Sequence, residues 1–306
     1  MIKAEDFNLL VDQAMIEEHH AHMRPVIEKE ILHYDILFTL DSEGLLDQLT
    51  FQGGTSLRLC YGAPRFSEDL DFAAGKQFTS THLLEIKNCI EHYIGKRYGL
   101  EVSVKEPKDM VNELKIQGIK VDKWQISVIT SPQRKDIPRQ KIKIEVVNIP
   151  AYSREARALQ KNYSFLPDGY NDTLVMVESL DEIMADKLIA LVNCQRYVRY
   201  RDIWDLRWLK QQSANINAEF ILDKIADYKI TDYVKKLDKM LENSDRIIHS
   251  KEFYDEMSRF IPLDTQERTL KKDKFFDFLA SETKTLLSEV KNLLIMDGSN
   301  EDEFRI

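Results

Sequence analysis

The sequence predicts an α+β protein, in which N-terminal helices precede a small mixed sheet and a helical domain closes the chain. Three observations predict it. Apolar residues recur at helical spacing over residues 4–45. Short alternating segments, separated by glycines and charged turns, follow between residues 49 and 147. Beyond residue 175 helical spacing returns almost without interruption. The expected division is 1–45 for N-terminal helices packing on the core, 46–175 for the sheet-bearing core, and 176–306 for the helical C-terminal domain. At 306 residues the chain is long enough to bury a core in each of the larger parts.

The elements follow in order. Phe7, Leu10, Val11, Ala14 and Met15 form one helical stripe. Pro25 begins or interrupts the next helix, which runs on through Ile27, Ile31 and Leu32. Leu49-Thr50-Phe51 is a short strand, stopped by Gly53-Gly54, and Thr55 to Tyr61 is a short helix ending at Gly62. Ser67 to Phe72 alternates as a strand, residues 80–97 are helical, and strands are expected at Leu100–Val104, Trp124–Ile129 and Ile142–Val147. Tyr152 to Asp172, polar and holding Pro167 and Gly169, reads as a linker. Helices are expected over 180–196, 200–212, 217–228, 231–246, 250–260 and 273–295, with a frayed acidic tail after Asp297.

Composition excludes several classes. No apolar run approaches the ~20 residues that span a bilayer, and Met-Ile-Lys-Ala-Glu-Asp lacks the apolar core of a signal peptide, so a cytoplasmic protein is expected. Cys60, Cys89 and Cys194 lie far apart, which fits buried thiols rather than disulfides or a zinc site. His19, His20 and His22 match no zinc spacing and read as a helix surface. The net charge of −9 argues against indiscriminate nucleic-acid binding but leaves room for a local basic groove.

The chemistry concentrates between Phe51 and Phe72. A strand ends, two glycines turn, and a helix starts. Amides exposed there can hold a phosphate, with the Thr55 and Ser56 hydroxyls as further donors, although such a turn also occurs for its geometry alone. Strand alternation points Asp69 and Asp71 to one side and Leu70 and Phe72 to the other. Two carboxylates so placed repel each other, and a divalent cation such as Mg²⁺ relieves the repulsion; a solvated surface pair is the plainer alternative.

The run GGTSLR followed by PRFSEDLDF resembles the signature of the AbiEii/AbiGii nucleotidyltransferase toxins, the toxin halves of type IV toxin–antitoxin and abortive-infection pairs. Downstream, SLDEIMADKLIALVNCQRYVRYRDIWDL is similar to that family's second block, and together the two cover residues 45–210. The resemblance implies a polymerase-β-like nucleotidyltransferase fold, an NTP substrate, Mg²⁺ held by Asp69 and Asp71, and an antitoxin encoded alongside. It implies that Gly53, Gly54 and Ser56 hold the triphosphate and that Arg65 and Ser67 shape the pocket or touch phosphate. Lys187 would neutralise phosphate charge, and Asp205 would support the site or contact the nucleotide. The wider superfamily often adds a third carboxylate on a later strand, for which Glu145 is the candidate and general base; it is also readable as a glutamate beside Lys141 and Lys143. Read without the resemblance, Lys187 is a solvated helix residue, and Arg201 and Asp205 are a surface pair four residues apart.

The reaction implied is transfer of a nucleoside monophosphate with release of pyrophosphate, to the 3′ end of tRNA as in some relatives. A protein side chain or a small molecule is the alternative acceptor, and a binding module without turnover the alternative class. Two basic stretches could meet RNA: Arg134, Lys135, Arg139, Lys141 and Lys143, and Arg196, Arg199 and Arg201 with Tyr197 and Tyr200 interleaved. Both also fit solvated faces of a charged protein.

Overall fold

The computed structural model describes residues 6–17, 23–107, 119–134 and 136–303, with side chains through residue 295. His19, His20, His22 and Lys135 lie outside the described residues. Contacts divide the chain into two compact units, Met1–Glu178 and Ser179–Ile306.

The N-terminal unit opens with α1 (Phe7–Glu17) and α2 (Arg24–Ser42). Pro25 stands at the start of α2, where its missing N–H removes no helical hydrogen bond. Then come β1 (Thr50–Gln52), α3 (Gly53–Tyr61), β2 (Leu70–Ala73), a short 3-10 turn at Ser80–Leu83, α4 (Ile86–Tyr98), β3 (Glu101–Lys105), β4 (Val121–Ile129) and β5 (Gln140–Val147). Two further strands, β6 (Glu155–Ala158) and β7 (Leu174–Val177), complete a seven-stranded mixed sheet of order β3-β4-β5-β2-β1-β7-β6.

Within the segment read from composition as a linker, residues 155–158 thus belong to the sheet. Glu155–Ala158 pairs antiparallel with β7, and β7 runs parallel to β1. Its residues Glu155-Ala156-Arg157-Ala158 include no large apolar side chain because it is an outermost strand, where one backbone edge and much side-chain surface remain solvated.

One sheet face is apolar. Phe51, Leu70, Phe72, Trp124, Ile126, Val128, Ile142, Ile144 and Val146 are each at most 2% exposed, and α2 and α4 belong to the same core through Ile27, Ile31, Ile90 and Ile94. Burying one such aliphatic or aromatic side chain contributes about 1.5–3 kcal/mol, enough in sum to fix which face of each strand points inward. The polar residues between them are therefore forced onto the opposite, open face.

The C-terminal unit is helical: α5 (Leu180–Asn193), α6 (Tyr200–Gln211), α7 (Ala218–Asp227), α8 (Tyr233–Ile248), α9 (Lys251–Ser258), α10 (Leu263–Arg268) and α11 (Asp273–Glu303). Ser179 caps α5 by accepting the Glu182 N–H. The helix expected to end at residue 295 continues to Glu303, and no proline stops it. Among the described residues no helix is long and apolar enough to cross a membrane.

Candidate functional site

The site is assembled around α3. Gly53 adopts φ +79°, the left-handed region that side chains resist, and a Cβ there would lie 2.9 Å from Asp71 Oδ2. At Gly54 a Cβ would run into the Arg65 guanidinium and come within 3.0 Å of Ser67 Oγ. Both glycines thus sit in close approach to residues singled out from the sequence, and Gly53 also needs the left-handed backbone. The turn, Arg65, Ser67 and Asp71 form one tight cluster.

Several contacts anchor this cluster from behind. Arg58 of α3 donates to both Glu30 oxygens at 2.9 and 3.0 Å and lies 4.3 Å over the Phe66 ring. Lys29 pairs with Glu68 at 2.6 Å, and His33 bonds the Glu68 carbonyl at 3.0 Å. A carbonyl only accepts, so Nε2 of His33 carries the proton. Complete burial lowers the His33 pKa to about 4, which keeps the ring neutral. Helix α2 therefore holds α3 through Arg58 and the end of the loop that leads into β2 through Glu68.

Thr55 and Ser56 are buried, and their hydroxyls donate to the backbone carbonyls of Asp69 and Gly53. In this arrangement they brace the turn, which leaves the backbone N–H groups at the start of α3 as the donors available to phosphate. Arg65 is 3% exposed and donates to the Phe66 carbonyl at 2.7 Å, so its charge stands directly behind Gly54.

Asp69 and Asp71 share the open face, as their alternation with buried Leu70 and Phe72 requires. Strand β2 runs parallel to β5 with Asp71 beside Glu145, and β4 places Lys123 on the far side of Glu145. Gln52, Asp71, Glu145 and Lys123 thus form one row across four strands. Lys123 pairs with Glu145 at 3.1 Å. The Lys143 backbone N–H donates to Asp69 Oδ1 at 3.0 Å, and its ammonium lies 3.3 Å from Oδ2. Partial burial works against the Lys143 charge, but Asp69, Glu145 and Asp71 outweigh it and hold the ammonium above its ordinary pKa. All three carboxylates therefore contribute negative potential at the Lys143 ammonium.

Among the described residues, no three His, Cys, Asp or Glu side chains surround a single point as metal ligands. The donor set still fits Mg²⁺, which takes one or two carboxylates and fills its remaining positions with water and substrate phosphate. Lysines occupy the vicinity in which the cation's charge is needed.

The second motif lies in the C-terminal unit. Lys187 is 6% exposed, with its ammonium 3.0 Å from Asp202 and 2.8 Å from Asp205. Arg199 also pairs with Asp202. Burial raises the Asp202 pKa, but Lys187 and Arg199 overcome it and hold the carboxyl below its usual range. Neither plain alternative survives: Lys187 is not solvated, and Asp205 faces Lys187. Arg201 pairs with Glu256 at 3.6 Å and lies over Phe260.

The family model for the AbiEii nucleotidyl transferase toxin of type IV toxin–antitoxin systems matches residues 35–281. The chain is a member of the AbiEii family. The solved structure of JHP933 from Helicobacter pylori is similar over 92% of this AbiEii chain and 98% of its own, at 18% identity and a TM-score of 0.48. A second H. pylori protein, provisionally described as a nucleotidyltransferase, covers 89% of the chain and 96% of its own, at 20% identity and the same TM-score of 0.48. No curated protein matches.

For this AbiEii nucleotidyltransferase, sequence reading missed Lys123 and Gln52 and gave Asp202, now seen paired with Lys187, less weight than Asp205. The first two come from strand register, although the alternation of Val121–Ile129 could have indicated the side on which Lys123 stands. The RNA expectations also change in detail. Arg199 is committed to Asp202 and Tyr200 packs on Phe253, which leaves Arg196 and Tyr197 exposed in that stretch. Arg134 pairs with Asp136. Of the cysteines only Cys60 is fully buried, and burial pushes its thiol up to about 12; Cys89 and Cys194 are half-buried.

Proposed function

We propose that this nucleotidyltransferase moves a nucleoside monophosphate from an NTP to the 3′ end of an RNA, with tRNA as the acceptor, and that an antitoxin encoded alongside restrains it. The observation that carries the reading is the convergence of Asp69, Asp71 and Glu145 on one open face, with Gly53 packed against Asp71.

In this reading the backbone N–H groups at Gly53 and Gly54 receive the phosphates, helped by the positive end of α3. Arg65 adds a fixed positive charge behind them, and Ser67 lines the same turn. Asp69 and Asp71 hold Mg²⁺, which when bound lowers the pKa of the acceptor hydroxyl and stabilises the leaving pyrophosphate. Glu145, beside Asp71, takes the proton from that hydroxyl. Lys187 and Asp205 belong to the motif the family resemblance singles out, and within the C-terminal unit Asp202 and Asp205 fix the Lys187 ammonium. Catalysis then rests mainly on positioning and charge compensation.

The test is incubation of the purified protein with total RNA, Mg²⁺ and each NTP in turn, radiolabelled at the α-phosphate. Label in the tRNA band supports the reading. Label in protein or in a small molecule replaces the acceptor, and no incorporation with any NTP removes the transferase reading for this chain.

A further inference from the structure

The open face that bears the carboxylates continues across β5, β4 and β3. Register places Lys143, Gln125 and Lys105 in one cross-strand row, and Lys141, Ser127 and Ser103 in the next. Lys123 stands beside the first row, opposite Glu145. Lys105, Lys123, Lys141 and Lys143 are all exposed to solvent, Lys123 by 55% and Lys143 by 49% of the side chain. The acids beside these rows are Asp69, paired with Lys143, Glu145, paired with Lys123, and Glu101 at the far corner. Four lysines on one face run against the charge of a protein that is −9 overall.

The arrangement is fixed rather than incidental. Trp124, Ile126, Val128, Ile142 and Ile144 fill the opposite face, so neither strand can present its lysines elsewhere without exposing the core. Between the lysines stand Gln125, Ser127 and Ser103, whose amide and hydroxyl groups donate to phosphate oxygens and ribose hydroxyls. Among the described residues of these rows none is aromatic, so the chemistry suits backbone contact without sequence preference.

We propose that this three-strand face is a track for the phosphodiester backbone of the RNA acceptor, leading its 3′ end over β5 to Asp69 and Asp71. The proposal rests on the RNA-acceptor reading above. Strands lie about 4.8 Å apart, so Lys105 is roughly 10 Å from Lys143 across the sheet, a span of about three phosphates in a stacked strand. The occupant is single-stranded, because a strand end must descend to the carboxylates at the sheet centre.

The experiment measures binding of a short, 5′-fluorescent single-stranded RNA to the full chain by anisotropy, over a range of salt. The proteins compared are wild type and the double variant Lys105→Gln/Lys141→Gln. Both substituted side chains are exposed. Binding of a fluorescent ATP analogue is the second readout. The double variant is expected to lose about tenfold in RNA affinity and to flatten the log–log salt slope by about 0.7 per lost phosphate contact, with nucleotide affinity unchanged. Wild-type RNA affinity and salt slope in the double variant would overturn the track while leaving the acceptor reading standing. A wild type that binds no RNA at low salt, yet labels protein or a small molecule, would overturn the acceptor reading and the track together.

Discussion

Glu145 stands directly beside Asp71 on a neighbouring parallel strand, with the Asp69 carboxylate held by Lys143 one position away. In the proposed mechanism this relationship gives the carboxylates different roles. Asp69→Asn and Asp71→Asn are expected to lower label transfer about a thousandfold or more, with far-UV circular dichroism unchanged. Glu145→Gln is expected to lower turnover by about 10²–10⁴-fold and to flatten the acid limb of the pH–rate profile. A slow Glu145→Gln enzyme that keeps that limb would remove the general-base assignment.

In the proposed mechanism Lys143, paired with Asp69, competes with the cation for that carboxylate. An exposed pair of this kind is worth up to about 1 kcal/mol after solvent screening, so Lys143→Met is expected to raise Mn²⁺ affinity roughly fivefold. Calorimetric titration without nucleotide reads this directly. An unchanged or weaker affinity would place the cation away from Asp69.

The paired glycines fail for different reasons. Gly53→Ala meets both an unfavourable φ and Asp71, whereas Gly54→Ala meets Arg65 and Ser67. Each is expected to lower stability by about 1–3 kcal/mol and to weaken nucleotide binding, because the α3 amides shift. Urea denaturation and nucleotide titration are the measurements. Full nucleotide affinity in both variants would separate the turn from the triphosphate.

Lys187 is central to a buried charge cluster, so its removal leaves Asp202 and Asp205 without their common partner. Lys187→Met alone is expected to lower stability by about 3–5 kcal/mol. Adding Asp205→Asn removes one excess charge and should recover much of that loss. If turnover returns together with melting temperature, Lys187 and Asp205 are structural; if turnover stays low while stability returns, they act in the reaction.

His33 makes stability pH-dependent. Its pKa falls from 6.5 to about 4 on folding, so between those values the unfolded chain binds a proton that the folded chain does not. Stability from this group is complete above about pH 6.5, declines as pH falls, and levels below about pH 4, a total of about 3 kcal/mol. His33→Gln keeps a donor for the Glu68 carbonyl and cannot titrate. Urea midpoints across this range should therefore fall less steeply in the variant; an equal slope would assign the acid sensitivity elsewhere.

Local chemistry determined much of this protein. Apolar periodicity marked most helices, and turn geometry marked Gly53-Gly54. A two-residue alternation put Asp69 and Asp71 on one face before any partner strand was known. These signals lie within a few residues of one another, and backbone sterics alone express them. Only the tertiary structure decided that β2 lies parallel to β5, bringing Glu145 to Asp71 and Lys143 to Asp69. It also decided that Lys187 is buried between Asp202 and Asp205, and that 155–158 is an edge strand rather than a linker. Register between distant strands and the pairing of buried charges follow from how whole elements pack to exclude water, a cooperative outcome that no short window of sequence contains.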